Sequence, residues 1–383
     1  MSGSPDDTVI VGGGLIGCAL AAELAARGQR VTVLERGEPG GEASAAAAGM
    51  LSPQAEARQD SEFFALSLES RGLYPAWAAA LLEETGLDVG YRRYGLLRCV
   101  FDAAGAALFD SYLWQRRAGL SVEERTAAAL AGELDGRLSR DVRGAVFFPD
   151  EAAVDPPVLS RAAWLSAQRR GVRVRAGVCA RRFRIQQGVC VGVETDAGDF
   201  TAAATVDCAG AWAAFDPSGP VPIPVHPVRG QMVRLRVEGP PLRTMVCSDE
   251  VYCVPRPDGT VVVGSTVELV GFRKAVTAEA IERLIAGAVA LVPELKSAQF
   301  VSAWSGLRPG TPDGFPVLGE SGVPGLALAT GHFRNGILLA PITAMVMADQ
   351  LTEGRTRDLS AFSIARFSES ATPAGRGGSA AYS

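Results

Sequence analysis

A glycine-rich turn between an apolar strand and an alanine-rich helix constrains the fold of this chain more than any other feature. Gly12, Gly14 and Gly17 match the G-x-G-x-x-G pattern and directly follow a β-branched run. In that pattern the first glycine allows a tight turn, the second admits a pyrophosphate, and the third permits close packing of the helix. A second apolar strand ends at Glu35, about 20 residues later, where a carboxylate can accept ribose hydroxyls. Together these elements predict a nucleotide-binding βαβ unit, whereas the glycines alone could form an ordinary turn.

Length and charge limit the classes of protein to consider. A chain of 383 residues can bury a large core and is predicted to form two domains. Its net charge of −5 argues against nucleic acid or an anionic membrane as the main partner. No apolar run approaches the roughly 20 residues that span a bilayer, so we expect no stable membrane insertion.

Cysteine and histidine usage bears on compartment and metal binding. The seven cysteines are an odd number without C-x-x-C spacing, and most lie in apolar runs. This favours buried free thiols in a reducing cytoplasm, and residues 1–7 do not resemble a secretory signal. With only two histidines, His226 and His332, a histidine-based zinc site is not expected, and we predict no metal.

The order of elements along the chain predicts an α/β fold with two interleaved domains. Nucleotide-type elements at the N-terminus recur in the middle and near the C-terminus, with antiparallel-looking strands between them. The predicted cofactor domain therefore comprises residues 1–85, 142–222 and 300–370, and the α+β substrate domain comprises 86–141 and 223–299. The Gly/Ser/Ala-rich tail, 371–383, is predicted to be disordered.

Three local predictions concern secondary structure. We expect residues 103–130 to be mainly helical with a break near Gly119, Ala278–Leu291 to form an amphipathic helix, and residues 306–310 to turn. The run of residues 44–50, rich in alanine, allows two interpretations. It is either a plain alanine helix or a segment of small side chains that lies against a bulky planar ligand.

Three long motifs then identify a family resemblance. They are AAAGML at residues 46–51 followed by QAE at 54–56, WSGLRPGTPDG at 304–314, and GHFRNGILLAP at 331–341. On these motifs the chain, over roughly residues 8–367, resembles the amine-oxidising flavoproteins that include D-amino acid oxidase and sarcosine oxidase. Within that family it is most similar to the glycine oxidases of thiamin biosynthesis.

The resemblance implies FAD, bound in a glutathione-reductase-like domain with a Rossmann βαβ unit, beside a mainly antiparallel substrate sheet. It assigns the pyrophosphate to Leu15 and Ile16, the ribose to Glu35 and Arg36, and the adenine to the backbone of Val178. The segment from His332 to Leu338 would surround the flavin ring. The full set of predicted cofactor residues is Gly12, Gly14, Leu15, Ile16, Gly17, Glu35, Arg36, Ala43, Ser44, Ala48, Gly49, Met50, Val178, Gly210, His332, Phe333, Arg334, Asn335, Gly336, Ile337 and Leu338.

The same resemblance places the substrate carboxylate on Arg308 and Tyr252, with Arg334 close by. Arginine offers two parallel N–H donors to a carboxylate, and tyrosine adds a neutral donor. Taken alone, Arg308 would more commonly form a surface ion pair, and Tyr252 could simply pack in a strand. The family chemistry is oxidative deamination of glycine or another small amino acid. A hydride passes from the α-carbon to flavin N5, oxygen is reduced to hydrogen peroxide, and the imine hydrolyses to glyoxylate or another 2-oxo acid and ammonia.

Several alternatives remain open at this point. The chain could prefer sarcosine or a D-amino acid, or could pass electrons to a quinone instead of oxygen. Glu250 and Val267 stand where some glycine oxidases carry histidine and methionine, which affects the expected preference for glycine. A non-catalytic flavin-binding subunit and an NAD-dependent dehydrogenase are alternatives of other classes. A homo-oligomer is also left open.

Overall fold

The computed structural model describes residues 6–102, 105–130, 132–354 and 357–367, so the predicted disordered tail at 371–383 lies outside the described residues. The strands, numbered in chain order, are β1 (Asp6–Val11), β2 (Val31–Glu35), β3 (Met50–Leu51), β4 (Leu96–Val100), β5 (Glu123–Thr126), β6 (Gly144–Phe148), β7 (Ala152–Ala153), β8 (Arg173–Ala176), β9 (Ala180–Gln186), β10 (Val189–Thr195), β11 (Gly198–Asp207), β12 (His226–Arg236), β13 (Met245–Cys247), β14 (Tyr252–Pro255), β15 (Thr260–Gly264), β16 (Gln299–Gly310), β17 (Val317–Glu320) and β18 (Leu326–Thr330). The helices are α1 (Leu15–Ala26), α2 (Ala43–Ala46), α3 (Pro53–Glu56), α4 (Glu62–Thr85), α5 (Gly105–Asp110), α6 (Leu113–Arg117), α7 (Ala127–Leu130), α8 (Pro156–Arg169), α9 (Ala278–Leu291) and α10 (Gly336–Glu353).

The first sheet has a parallel centre, with strand order β17-β18-β11-β1-β2-β8. Strand β1 pairs in parallel with both β2 and β11, so that Val11 lies opposite Leu34 on one side and Asp207 on the other. Parallel strands that are covered on both faces are rich in β-branched and aliphatic residues, and Val9, Ile10 and Val33 are fully buried. The sheet therefore forms the rigid centre of the nucleotide-type half.

Helices α1, α4, α8 and α10 pack around this sheet. The alanine- and leucine-rich α1 buries most of its length, and Leu20 and Leu24 join Ile342 of α10 in one apolar cluster. Burial of an aliphatic side chain of this kind contributes about 1.5–3 kcal/mol. The packing holds the first turns of both α1 and α10 at the edge of the sheet where β1, β2 and β11 end.

The second sheet is mainly antiparallel, with order β16-β12-β15-β14-β13-β4-β6-β5 and one parallel pair, β13 with β4. Helix α9 covers part of it through Leu284, Ala288 and Leu291, which belong to the second core cluster. Its bounds agree with the helix expected at Ala278–Leu291, and Thr277 caps it by accepting a hydrogen bond from the Ala280 N–H. The α/β fold class with a mainly antiparallel second sheet is thus confirmed.

Two local predictions are wrong in this sheet. Residues 306–310 do not turn but continue β16, because β12 pairs with them over its whole length, from His226 opposite Gly310 onward. Residues 123–126, expected within a mainly helical region, form the edge strand β5 on β6. In both places long-range strand pairing overrides the local preference.

The division into two domains remains a prediction. Strands β6 and β16, which that division assigns to the cofactor part, pair within the second sheet. All seven cysteines are free thiols, and only Cys179 is partly exposed. Among the described residues, no helix has both the length and the apolar character needed to cross a bilayer.

Candidate active site

A cavity of about 380 Å³ opens where the parallel strands of the first sheet end and the second sheet begins. Its walls include residues at or just after the carboxyl ends of β1, β2, β11 and β18. Open α/β sheets bind ligands at this edge, because the loops that follow the strands meet there. All of the predicted cofactor and substrate residues line the cavity except Gly17 and Leu338.

The glycine turn sits at one end of the cavity. Gly12 has a φ of +106°, and a Cβ there would lie 2.4 Å from the Cys208 carbonyl oxygen, so no side chain fits. Gly17 lies behind the turn, where a Cβ would be 2.0 Å from the Gly12 carbonyl oxygen. Gly17 therefore brings α1 close to the strand, as the pattern predicts, and unlike Gly12 and Gly14 it does not itself line the cavity.

The N-terminus of α1 faces the cavity with no acid in its first turn, residues 15–18. Gly14 precedes it without a capping side chain, and Ser44 Oγ accepts a hydrogen bond of 3.0 Å from the Leu15 N–H. The unpaired N–H groups of a helix N-terminus and its partial positive charge stabilise an anion. This end of the cavity thus fits a phosphate group.

Glu35 lies at the carboxyl end of β2 and holds two turns together. Its Oε2 accepts a hydrogen bond of 2.9 Å from the Gly13 N–H, and its Oε1 accepts one of 2.8 Å from the Gly37 N–H. Each carboxylate oxygen keeps a further lone pair for a ligand hydroxyl. The Val178 N–H donates to the Glu35 carbonyl oxygen at 3.0 Å, so both residues line the same end of the cavity.

An aromatic stack closes that end. The Arg36 guanidinium lies 3.7 Å from the centre of the Trp212 ring, and Phe272 stacks with Trp212 at a centroid distance of 5.4 Å. Trp212 was not among the predicted site residues. It stands two residues after Gly210, in the 3-10 turn that follows β11, and that proximity to a predicted cofactor residue is the signal that could have indicated it.

The alanine-rich run after β2 is only partly helical. Helix α2 spans Ala43–Ala46, and residues 46–50 then continue along the cavity. The indole N–H of Trp304 donates to the Ala46 carbonyl oxygen at 3.0 Å, and a Cβ on Gly306 would lie 2.5 Å from the Ala46 Cβ. The structure therefore favours the second interpretation, in which small side chains make room for a ligand.

The loop before α10 forms another wall. The Phe333 N–H donates to the Pro309 carbonyl oxygen at 3.0 Å, which ties this loop to β16. His332 Nε2 lies 3.1 Å from Thr343 Oγ1, and burial lowers the pKa of His332 to about 3, so the ring is neutral at ordinary pH. Leu338 does not line the cavity, because its side chain packs in the core while its carbonyl oxygen accepts from Ser70 Oγ at 2.6 Å.

Arg308 lies on β16 and faces the cavity, and hydrogen bonds to the neighbouring loop fix its guanidinium. Nη1 donates to the Thr266 carbonyl oxygen at 3.0 Å, and Nη2 donates to Ser265 Oγ at 2.6 Å. The group lies against Gly230, where a Cβ would be 2.2 Å from Nη1. No acidic residue in the described part of the chain forms an ion pair with Arg308, and burial lowers its pKa from the usual value. The arrangement leaves a partly desolvated cation available to an anionic ligand.

Tyr252 and Arg334 share this end of the cavity with Arg308. Tyr252 Oη lies 3.4 Å from Met232 Sδ, and Arg334 Nη2 lies 3.7 Å from Glu56 Oε1. The cavity residues that sequence reasoning missed here are Ser52, Glu56, Gly230, Met232 and Ser265. Glu56 was already visible within the QAE motif, but nothing in the sequence indicated its partner. Glu250 and Val267 do not line the cavity.

Comparison with known proteins identifies the family. The sequence model that describes the family of FAD-dependent oxidoreductases matches residues 7–350. The chain belongs to this family. The prediction of FAD as cofactor and the resemblance drawn from the three motifs are therefore confirmed.

Relatives of this FAD-dependent oxidoreductase include proteins much longer than this chain and proteins of similar length. The "Bifunctional protein ThiO/ThiG" of Trichormus variabilis is 40% identical over 371 residues, which cover 96% of this chain and 56% of that protein. The chain thus spans about half the length of that relative. "Glycine oxidase" of Geobacillus kaustophilus is 38% identical over 94% of this chain and 97% of its own length. The crystal structure of glycine oxidase from G. kaustophilus superposes with a TM-score of 0.90 at 36% identity, covering 94% of this chain and 98% of that one.

Proposed function

We propose that this protein is an FAD-dependent oxidase of glycine or another small amino acid. The observation that carries the proposal is the guanidinium of Arg308. It has no acidic partner among the described residues and faces the same cavity as the glycine turn. A guanidinium in a partly desolvated site favours a planar carboxylate, which it can bind through two parallel hydrogen bonds. The names of the glycine oxidase relatives support the same substrate class.

The residues present fit FAD. The acid-free first turn of α1 suits the pyrophosphate, Glu35 suits ribose hydroxyls, and the small residues 46–49 leave space for a flat ring system. When bound, FAD supplies the acceptor for the two electrons and hydrogen removed from the substrate α-carbon.

The chain's own residues then bind and orient the substrate. Arg308, fixed by Ser265 and Thr266, anchors the carboxylate, and Tyr252 adds a second donor. A fixed anchor places the α-carbon in one position and so lowers the entropic part of the barrier. His332 is a poor candidate for a base, because its pKa is about 3 and its Nε2 is occupied by Thr343.

The finer assignments belong to the same proposal. We infer that oxygen is the electron acceptor, with hydrogen peroxide as product, and that the reaction serves thiamin biosynthesis, by analogy with relatives that join ThiO to ThiG. A cytoplasmic location is supported by the free, mostly buried cysteines.

A substrate panel with peroxide detection tests the proposal. The purified protein, loaded with FAD, should form peroxide with glycine, sarcosine or a small D-amino acid, and hardly at all with ethylamine, which lacks a carboxylate. Reduction of a dye in the absence of peroxide would point to a quinone-linked dehydrogenase. Absence of turnover on every amino acid, with FAD bound, would refute the assignment.

A further inference from the structure

The short helix α3 carries the QAE motif to the cavity, and its backbone is held by buried groups. Glu151 Oε1 accepts hydrogen bonds from the N–H groups of Gln54, at 2.8 Å, and Ala55, at 3.4 Å. Tyr112 donates to the Ala55 carbonyl oxygen at 2.9 Å. Because Glu151 and Tyr112 are fully buried, the position of the next residue, Glu56, is set by the core.

The Gln54 side chain strengthens this support. Its Oε1 accepts from Arg71 at 2.8 Å, and its Nε2 donates to Gln115 Oε1 at 3.2 Å and to the Ser121 carbonyl oxygen at 3.1 Å. Buried amides with this many partners have one favourable arrangement. The end of α3 therefore forms a rigid wall, from which Glu56 faces the cavity.

Charge is distributed unequally over the two guanidinium groups at this end of the cavity. Arg334 Nη2 lies 3.7 Å from Glu56 Oε1, whereas Arg308 forms no ion pair among the described residues, although the Glu56 charge also acts on it through space. Two other cavity acids, Glu35 and Glu42, are engaged elsewhere, with backbone N–H groups and with Arg36, respectively. Arg308 is thus the guanidinium without an ion pair, and Arg334 is the one whose charge Glu56 offsets most directly.

If Arg308 holds the first carboxylate of a dicarboxylate ligand, the second carboxylate would lie toward Arg334 and therefore toward Glu56. Like charges at such a distance repel, and a site can exclude a competitor by this means without binding the preferred ligand more tightly. The Arg334 and Glu56 side chains are 38% and 37% exposed, so their ion pair contributes little to stability. Selection between ligands is the role that fits such a pair.

We propose that Glu56 is a specificity-determining residue that closes Arg334 to a second carboxylate and restricts the site to ligands with one. This inference rests on the proposed function, because Arg308 must first hold the single carboxylate. Neutralising Glu56 would then leave two accessible guanidinium groups in one cavity, a site suited to dicarboxylates.

Calorimetric titration of the FAD-loaded protein with unreactive acids tests the inference without turnover. The probes are acetate, with one carboxylate, and malonate, succinate and glutarate, in which two carboxylates lie progressively further apart. In Glu56→Gln, the Kd for acetate serves as the reference, because loss of the Glu56 charge also acts on Arg308. For at least one diacid, the ratio of its Kd to the Kd for acetate should fall about tenfold from the parent protein to Glu56→Gln. This diacid-to-acetate ratio would then change by roughly 1.4 kcal/mol in free energy. The matched control is Glu83→Gln, which removes the same charge from an exposed position outside the cavity and should leave the ratio unchanged.

Two further variants complete the design. Glu56→Ala, also neutral but smaller, should give the same shift, and Glu56→Gln combined with Arg334→Gln should lose it. An unchanged diacid-to-acetate ratio in both Glu56 variants would overturn the inference, as would a shift that persists without Arg334. The proposed function fails separately, if the parent protein produces no peroxide from any amino acid while the ratio still shifts.

Discussion

Replacing Arg308 tests the assignment on which the proposed chemistry depends. Two of its five N–H groups are donated to Ser265 Oγ and the Thr266 carbonyl oxygen, Tyr252 lies within hydrogen-bond reach of the guanidinium, and the side chain lines the cavity. A carboxylate bound there accepts charge-assisted hydrogen bonds, and loss of one partner of such a pair costs about 2–5 kcal/mol. Arg308→Ala should therefore lower kcat/KM for glycine or sarcosine by about 30- to 5,000-fold.

The assay is initial-rate peroxide formation, with bound FAD measured by absorbance. Arg308→Lys should recover only part of the loss, because a point charge cannot reproduce the planar fork. The weak rate with ethylamine should hardly change in Arg308→Ala, since that amine has no carboxylate to lose. FAD content should stay close to that of the parent protein. Full activity of Arg308→Ala on glycine, sarcosine and small D-amino acids would refute the reasoning and leave Arg334 as the next candidate anchor.

Four shorter predictions follow from other residues of the structure. Glu35→Ala should weaken FAD binding by roughly 1.5–3 kcal/mol, measured as the FAD dissociation constant, and an unchanged constant would disprove the ribose assignment. Gly230→Ala should raise KM while FAD binding is retained, because the new Cβ would displace the Arg308 guanidinium; identical kinetics would show that the contact is unimportant. Burial raises the pKa of Glu151 to about 8 from the usual 4.5, so the unfolded chain releases this proton first and the free energy of unfolding falls as pH rises between these values. Glu151→Gln should remove up to about 1.4 kcal/mol of that loss per pH unit, and urea unfolding curves whose difference does not vary with pH would contradict this. Acid precipitation should release FAD into solution, because residues 301–319 contain neither cysteine nor histidine for a covalent link; flavin that stays with the pellet would show attachment.

Local patterns in the sequence were sufficient to predict the nucleotide-binding turn and helix α9. The glycines act on their immediate neighbours, and the apolar period of α9 is contained within the helix itself. The turn expected at 306–310 failed because its conformation depends on β12, a distant partner. Strand β5 was missed for the same reason.

The candidate site shows the same limit. Motif residues such as Arg308 could be named from the resemblance, and the structure brings them to one cavity. Glu56 and Trp212 could be recognised as part of the candidate site only from the fold, which sets them beside Arg334 and Arg36, respectively. A carboxylate in a motif does not disclose its counterion, because that partner comes from another part of the chain.

Strand β16 fixes the spacing of three residues at the cavity. Trp304, Gly306 and Arg308 alternate along one face, so the contact of the first two with Ala46 and the position of the third are separated by fixed steps of about 3.4 Å per residue. One residue inserted between Trp304 and Arg308 would turn the guanidinium to the opposite face of the sheet. Substitutions in β16 can therefore alter which ligand the cavity binds. Insertions or deletions in this strand would instead move Arg308 out of the cavity. Variation in chain length among relatives is expected in the loops outside β12 and β16.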